Sequence, residues 1–378
     1  MFEEVEKMRL RAGLISLGSE SSVWTAKAMK KYFSEVDELD IRKIDINISG
    51  KDAEILYDGK PLGEYDCIYA KGSFRYAQLL KTLTSVLHKK CYMPISPEAF
   101  TIAHDKLLTH LELQEHNIPM PRTYVSSTIP AAKKILEKMN YPVIMKFPQG
   151  TGGKGVLFAD SYASASSLLD ALSALRQPFI IQEYVETGGT DIRAIVIGTK
   201  VAASYKRKAK MSELRANFHA GGTAEPIVLD TMTKKLAVSV AKAIGAEICA
   251  VDMLESAKGP LVIEANVSPG LQLITRTTKI DVADKIARYL YERTLELKSR
   301  EKKIEAASIL RGIDEDKMVT ADGKKKLITN LDFRGNKVLL PELITKAARL
   351  DEDGYYEILA QPEKVVIRKL KIMKGDEA

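Results

Sequence analysis

Apolar runs and amphipathic stretches alternate along the first hundred residues. LRAGLIS (10–16) is an apolar run of strand length. After a Gly-Ser-Glu-Ser-Ser turn, residues 23–33 follow as a helix. IRKIDI and YDCIYA predict two further strands, and this succession implies a parallel sheet with helices on its faces. Two prolines in YMPISPEAF break the pattern. A helix over roughly 104–115 follows, and NIPMPRTYV ends it. A second α/β unit then begins: PAAKKILEKM as helix, YPVIMKF as strand, PQGTGGKG as a glycine loop and VLFAD as strand. A helix near 163–175 leads to the strand FIIQEYVE. Beyond it come strands DIRAIVIG and KVAASYKRK, a polar loop to about residue 222 and a helix over 232–244. Two apolar strands, AEICAVDMLES and LVIEANVSPG, follow. The helix that starts at DVADKIARYL fades into the charged stretch LKSREKKIEAA. The segment 336–371 then reads as strand, proline, short helix, turn, strand, turn, strand.

Composition narrows this picture little. The chain has 378 residues, enough for two or three domains, and 45% hydrophobic residues, enough for sizeable cores. No apolar run approaches the ~20 residues of a membrane span. The charged start MFEEVEKMRL has no apolar signal core, and Cys67, Cys91 and Cys249 show neither disulfide nor metal spacing. A cytoplasmic protein with no membrane partner is expected. The net charge of +7 admits anionic partners without choosing among them.

Candidate chemistry gathers in four places. Glu264 and Asn266 end a strand two positions apart, so both point to one face, and Pro269 and Gly270 stop the strand beyond them. Asp252 stands alone in the preceding apolar run. If the two strands pair antiparallel, Asp252 comes opposite that pair, giving oxygen ligands for a hard cation such as magnesium. A strand end with solvated polar residues is the alternative. Lys146 ends another strand before Gly150, Gly152, Gly153 and Gly155, a loop whose backbone can cradle phosphate oxygens; a plain glycine-rich hairpin is the alternative. It is neither a Walker loop nor the GxGxxG of a dinucleotide fold. Gln182, Glu183, Tyr184 and Val185 end a strand that offers main-chain bonds and an apolar edge to a base, or is simply a core strand reaching a turn. The loop KRKAKMSELRANFHAGG carries Arg207, Lys208, Lys210, Arg215, Asn217 and His219. It is either a solvated basic face or a grip on an anionic intermediate, with Arg207, Lys208 and Arg215 as its cationic groups.

HDKLLTHLELQEHNIPMPRT, YPVIMKFPQGTGGKGV, QEYVE, DIRAIVIG, RKAKMSELRANFHAGG, VDML and LVIEANVSPG occur in the order seen in ATP-grasp ligases. Over residues 12–294 the chain resembles RimK-type α-L-glutamate ligases. That resemblance implies an α/β (α+β) ATP-grasp fold: an N-terminal parallel-sheet domain over 1–100, a central lid domain over 101–185 and a C-terminal ATP-grasp domain over 186–295. It implies that Lys106 and Lys146 touch ATP phosphates and that Gly152, Gly153 and Gly155 form the lid loop. Glu183, Tyr184 and Val185 then form the adenine hinge, and Asp191 reaches the ribose side. Arg215 and Asn217 lie near the phosphates, and Asp252, Glu264 and Asn266 hold two magnesium ions, with manganese a substitute. The implied reaction transfers the γ-phosphoryl group of ATP to a carboxylate and replaces it by an amine, adding L-glutamate to a coenzyme or protein tail. Ligation of another amino acid to a carrier protein, and a DNA-binding regulator with an ATP-grasp sensor, are the alternatives. The stretches SLGSESSVW and KGSFRYA depart from the protein-modifying members of the family.

Residues 296–330 read as a charged linker. Residues 331–378 resemble an AbrB/SpoVT-type swapped-hairpin module, small and β-rich. From Lys298 onward there are 18 Lys or Arg against 15 Asp or Glu, a net +3. That weak excess favours an oligomerisation module over a DNA binder, and a homo-oligomer through both the ATP-grasp core and this tail is expected.

Overall fold

The computed structural model describes residues 9–49, 53–148, 150, 155–176, 178–208, 223–312, 332–334, 337–340, 342–351, 354–362 and 364–370. Two compact units are distinguished, Met1–Leu297 and Lys298–Ala378.

The first unit opens with β1 (Arg11–Ser16), α1 (Glu20–Met29), β2 (Glu35–Asp40), β3 (Ile44–Ile48), β4 (Ala53–Tyr57), β5 (Lys60–Pro61), β6 (Cys67–Ala70), α2 (Ala77–Leu87) and α3 (Pro97–His104). β1 is apolar on both faces because it is the middle strand of the parallel sheet β2-β1-β6. Ser19 caps α1 by accepting from Ser22 N, so this helix starts three residues before the predicted one. IRKIDI is not one strand. The Asp40 carboxylate accepts from Arg42 N and closes a 3-10 turn over Ile41–Lys43, leaving only the second half extended. β3, β4 and β5 form a small antiparallel sheet, which the expected all-parallel domain lacks. Its Asp58-Gly59 corner has both residues at positive φ, as a two-residue hairpin turn requires.

The helix predicted over roughly 104–115 is observed over Lys106–Glu115, and α3 occupies the stretch where the two prolines predicted a break. Asp105 is extended, and its carboxylate accepts from Leu107 N and Leu108 N. It thereby ends α3 and caps α4 (Lys106–Glu115). Lys106 thus opens a helix. β7 (Thr123–Tyr124), α5 (Ile129–Leu136), β8 (Val143–Lys146), β9 (Val156–Ala159), α6 (Tyr162–Ala174) and β10 (Ile180–Glu183) follow. The four strands pair antiparallel in the order β7-β10-β8-β9. Their inward residues Val143, Met145 and Ile181 meet Leu136 of α5 and Leu169 of α6 in a core of their own.

A third sheet is built from β11 (Thr190–Ile197), β12 (Lys200–Lys208), β13 (Thr223–Pro226), β14 (Ile248–Ser256) and β15 (Gly259–Asn266). It is antiparallel, in the order β13-β12-β11-β14-β15, with α7 (Thr231–Ala243) interposed in the chain before β14. α8 (Gln272–Thr278) and α9 (Val282–Gly312) complete the unit's elements. This sheet and the N-terminal sheet share one hydrophobic core that includes Leu14, Tyr69, Phe100, Ile195, Val240 and Ile286. Backbone bonds lock the two together. Ser96 N donates to Gly245 O at 2.9 Å and Glu247 N to Pro94 O at 2.7 Å. The Glu247 carboxylate also accepts from the hydroxyls of Tyr92 and Tyr289.

The second unit contains β16 (Asp332–Arg334), β17 (Lys337–Leu339), α10 (Glu342–Ala347), β18 (Tyr356–Gln361) and β19 (Lys364–Lys369). β16 pairs with β17 and β18 with β19, each pair antiparallel. Ile358, Leu359 and Val365 lie exposed on the second hairpin. Among the described residues no helix is long and apolar enough to cross a membrane.

Gly245 sits at φ +74°, and a Cβ there would stand 2.4 Å from Ser96 Oγ, the side chain that caps α3. Gly245→Ala is expected to cost about 1–3 kcal/mol. Urea denaturation should show this as a lower midpoint with unchanged slope.

Candidate active site

Alternation along the third sheet places polar side chains in a row across four strands. β11 carries Asp191 and Arg193 on one face. In the register, Asp191 stands beside Arg207 of β12, Arg193 beside Asp252 of β14, and Asp252 beside Glu264 of β15. The predicted pairing of the two apolar strands is thus observed, with a register shift just after Asp252. Arg193 donates to both Asp252 oxygens at 2.6 Å, and Arg207 Nη2 adds a third bond at 2.8 Å. Arg207 also grips both oxygens of Asp191. All four side chains are largely buried. Burial alone would raise the Asp252 carboxyl, but the charges of Arg193 and Arg207 outweigh it and hold it well below the usual carboxylate range. Glu264 has no such escort. Burial, then the charge of Asp252, pushes its carboxyl up.

A cation between these two carboxylates would relieve that repulsion. Asn266, next on the same face of β15, supplies an amide oxygen that also accepts from Ser268 N at 2.8 Å. Among the described residues no group of three or more His, Cys, Asp or Glu could hold a metal ion by itself, and Asn266 would be a third oxygen donor beside the two carboxylates. Three oxygen donors at a strand end fit a hard divalent ion that keeps water and phosphate in its other positions.

The start of α4 meets this strand end. His104, Lys106, Thr109, Gly150, Glu264 and Asn266 line one cleft. Lys106 Nζ donates to Gly150 O at 2.9 Å. His104 Nε2 is buried and has no hydrogen-bond partner among the described residues.

Lys146, at the end of β8, donates to Gln182 Oε1 at 2.6 Å. The Gln182 amide nitrogen reaches Thr123 Oγ1 at 2.8 Å and His110 Nε2 at 3.0 Å, and His110 Nδ1 lies 2.5 Å from Lys106 O. Since a carbonyl only accepts, His110 carries its proton on Nδ1 and accepts at Nε2. Burial, with Lys146 and Lys106 nearby, pushes its pKa down and keeps it neutral. Burial likewise brings Lys146 down to about 8, with Glu264 pulling the other way. One polar chain thus connects Lys146 to the backbone of Lys106.

The remaining predicted residues are more dispersed. Glu183 is tied to Arg122 through its backbone N–H and its side chain, both at 2.9 Å. The Tyr184 ring meets the Phe158 ring edge-on at 5.6 Å. Val185 is half-buried beyond them, and Lys208 is exposed at the end of β12. Gly155, at φ +79°, closes the β8–β9 hairpin where a Cβ would meet Phe147 at 2.3 Å. Gly152, Gly153, Lys210, Arg215, Asn217 and His219 lie outside the described residues. Arg193, His110 and Thr123 were not anticipated. An arginine or glutamine within an otherwise apolar strand gives only the signal that its charge or amide needs a buried partner.

Residues 103–290 match the RimK-like ATP-grasp domain. A probable alpha-L-glutamate ligase of Thioalkalivibrio sulfidiphilus is 37% identical over 262 residues, 68% of this chain and 86% of that protein. Another, from Vibrio cholerae, is 34% identical over 291 residues, 74% of this chain and 95% of its own. The chain belongs to the RimK-like ATP-grasp family. Solved structures agree on the fold. The RimK domain ATP-grasp protein of Sphaerobacter thermophilus superposes with TM-score 0.58 at 19% identity, covering 74% of this chain and 98% of its own. D-alanine–D-alanine ligase of Bacillus anthracis does so with TM-score 0.53 at 15% identity, covering 77% and 99%. This RimK-like protein is an ATP-dependent carboxylate–amine ligase.

Removing one partner from a buried ion-pair network leaves a charge uncompensated. Arg193→Met is expected to lower unfolding stability by about 3 kcal/mol or more, measured in urea.

Proposed function

We propose that this ligase adds L-glutamate to the carboxylate of a coenzyme or protein tail, with ATP and magnesium bound at the cleft where α4 meets β15. The observation that carries the site assignment is the meeting of Lys106 with Glu264 and Asn266, across the register from Asp252. Glutamate as the amine rests on the relatives, whose names say alpha-L-glutamate ligase. Among the fold neighbours, the ligase PsnB was solved with a precursor peptide, and with a minimal precursor, magnesium and ADP. This supports magnesium as the ion and leaves a peptide carboxylate open as acceptor.

Asp252, Glu264 and Asn266 would hold the metal, which neutralises charge on the phosphate oxygens when bound. Lys106 and Lys146 approach the same phosphates from the opposite side, held by Gly150 and Gln182 respectively. Glu183, Tyr184 and Val185 frame the base. Arg207 and Asp191 act here through Asp252: Arg207 bonds both carboxylates and so fixes the Asp252 carboxylate. The acceptor carboxylate oxygen attacks the γ-phosphorus, the bond to the bridging oxygen breaks, and ADP leaves. The glutamate nitrogen then attacks the acyl carbon, phosphate departs with the C–O electron pair, and the amine loses a proton to give the amide. The chain supplies no nucleophile, only position and counter-charge.

For the second unit we propose an AbrB-like pairing of two copies. A lone two-stranded hairpin is marginal in water, and the exposed Ile358, Leu359 and Val365 need cover. Its sequence charge does not favour nucleic acid.

The test is magnesium-dependent phosphate release from ATP, with each amino acid in turn and a small-metabolite extract as acceptor source. Glutamate should stimulate, and Glu264→Gln should abolish the stimulation. A different stimulating amino acid would replace glutamate, and no stimulation by any would overturn a small-molecule acceptor in favour of a protein tail. Arg207→Lys should weaken magnesium activation about 10–100-fold, since it disturbs what orients the ligand. Lys146 must be charged to hold phosphate, and burial brings its pKa down to about 8. The Kd for ATP should therefore rise as pH climbs above about 8, approaching tenfold per unit. Lys146→Met should flatten that dependence.

A further inference from the structure

Lys71 is buried, 4% exposed, and its Nζ has no hydrogen-bond partner among the described residues. Its nearest aromatic ring, Tyr69, has its centroid 5.7 Å away, at the outer limit of cation–π attraction. Tyr69 lies two positions earlier on β6, hence on the same face, and its hydroxyl is also without a partner. An ammonium withdrawn from water with nothing to pair is costly, so an anionic group brought opposite it would be strongly favoured. The nucleotide side of the cleft already has Lys106 and Lys146.

The backbone places Lys71 at a site of known type. It follows β6 directly, and its N–H donates to Ile15 O of β1 at 2.8 Å. In the parallel order β2-β1-β6 the chain leaves β1 for β2 on one side and returns as β6 on the other. The carboxyl ends of β1 and β6 therefore flank a topological switch point, where open α/β sheets bind ligands. The loop after β15 seals onto that point. Gly72 N donates to Ser268 Oγ at 3.0 Å, and Leu271 N donates to Ser21 Oγ of α1 at 2.8 Å. A short relay thus joins the two sites: Asn266 Oδ1 to Ser268, and Ser268 to Gly72 beside Lys71.

We propose that Lys71 binds a carboxylate of the amine or acceptor substrate in the crevice between β1 and β6, distinct from the nucleotide cleft. This rests on the ligase reading for the identity of the ligand, since both substrates of such an enzyme carry carboxylates. The loop from the metal strand then fixes the distance between that carboxylate and the phosphates.

The test titrates wild type and Lys71→Met, both saturated with magnesium and a non-hydrolysable ATP analogue, with three probes: glutarate, L-glutamate and a peptide ending in glutamate. At least one should bind wild type and bind Lys71→Met tenfold or more weakly, with affinity for the ATP analogue changed less than twofold. Lys71→Arg should recover part of the loss. The thermal midpoint of Lys71→Met should hold or rise, because an unpaired charge is replaced by an apolar chain. Weakening confined to L-glutamate assigns the amine substrate, and weakening confined to the peptide assigns the acceptor. Equal binding to both proteins, no binding of any probe to wild type, or a fallen midpoint with parallel loss of ATP affinity would each overturn the proposal. Binding is read without turnover, so failure of the phosphate-release assay and failure of this proposal are separate results.

Discussion

Charges buried in one face of a sheet constrain this ligase more than any other feature. Asp252 sits among apolar neighbours on β14, where an unescorted carboxylate would take up a proton and lose its charge. Arg193 and Arg207 prevent that, and Asp191 in turn balances Arg207. The row extends over β12, β11 and β14 and keeps the three strands in one register, since a slip of one residue would send every member to the other face. Glu264 stands at the end of the row with no arginine bonded to it, and burial pushes its carboxyl up. Fold and site therefore share one set of interactions.

The second sheet solves a different problem. Its strands β8 and β10 carry Lys146 and Gln182, and its polar chain ends on the first turn of α4 through His110. α4 also supplies Lys106 to the cleft with Glu264. A helix that begins at Asp105 rather than running on from α3 makes this geometry available. An uninterrupted helix over 97–115 would carry no cap at Asp105 and no lysine at a helix start.

How much of this was legible depended on whether a residue's neighbours along the chain betray its partner across space. Glu264 and Asn266 were legible because a period-two pattern and a Pro-Gly stop place both on one face. Their meeting with Asp252 followed from two adjacent apolar strands. Helix α3 was not legible, because the prolines of YMPISPEAF read as a break, while Pro97 opens a helix whose cap, Ser96 accepting from Ala99 N, no local pattern reveals. IRKIDI failed for the same reason at Asp40. Arg193 was passed over inside DIRAIVIG, where one charge in an apolar run looks like an outward-facing residue. Its real direction is set by register with Asp252, which no local pattern carries. Lys71 was equally silent: KGSFRYA was noticed only as unlike its relatives, and burial of its ammonium depends on helix and loop packing far away in sequence.

The N-terminal sheet raises the question of why a ligase whose proposed nucleotide cleft involves the other two sheets shares a core with a third. Its carboxyl ends are covered by the loop that leaves the metal strand, through Ser268 to Gly72 and Leu271 to Ser21. Gly72 has no room for a side chain, since a Cβ would stand 2.7 Å from Leu80. The loop can therefore close on the backbone at that point. A rigid junction of this kind is what a two-substrate reaction demands. The acyl group and the amine must be held within a few tenths of an ångström of attack geometry, and a mobile joint between the sheets would surrender the effective concentration that makes the amine outrun water. The common hydrophobic core and the Pro94–Glu247 and Ser96–Gly245 bonds add to that rigidity. On this view the N-terminal sheet fixes where the second carboxylate stands, and the metal strand is the ruler from which both positions are measured.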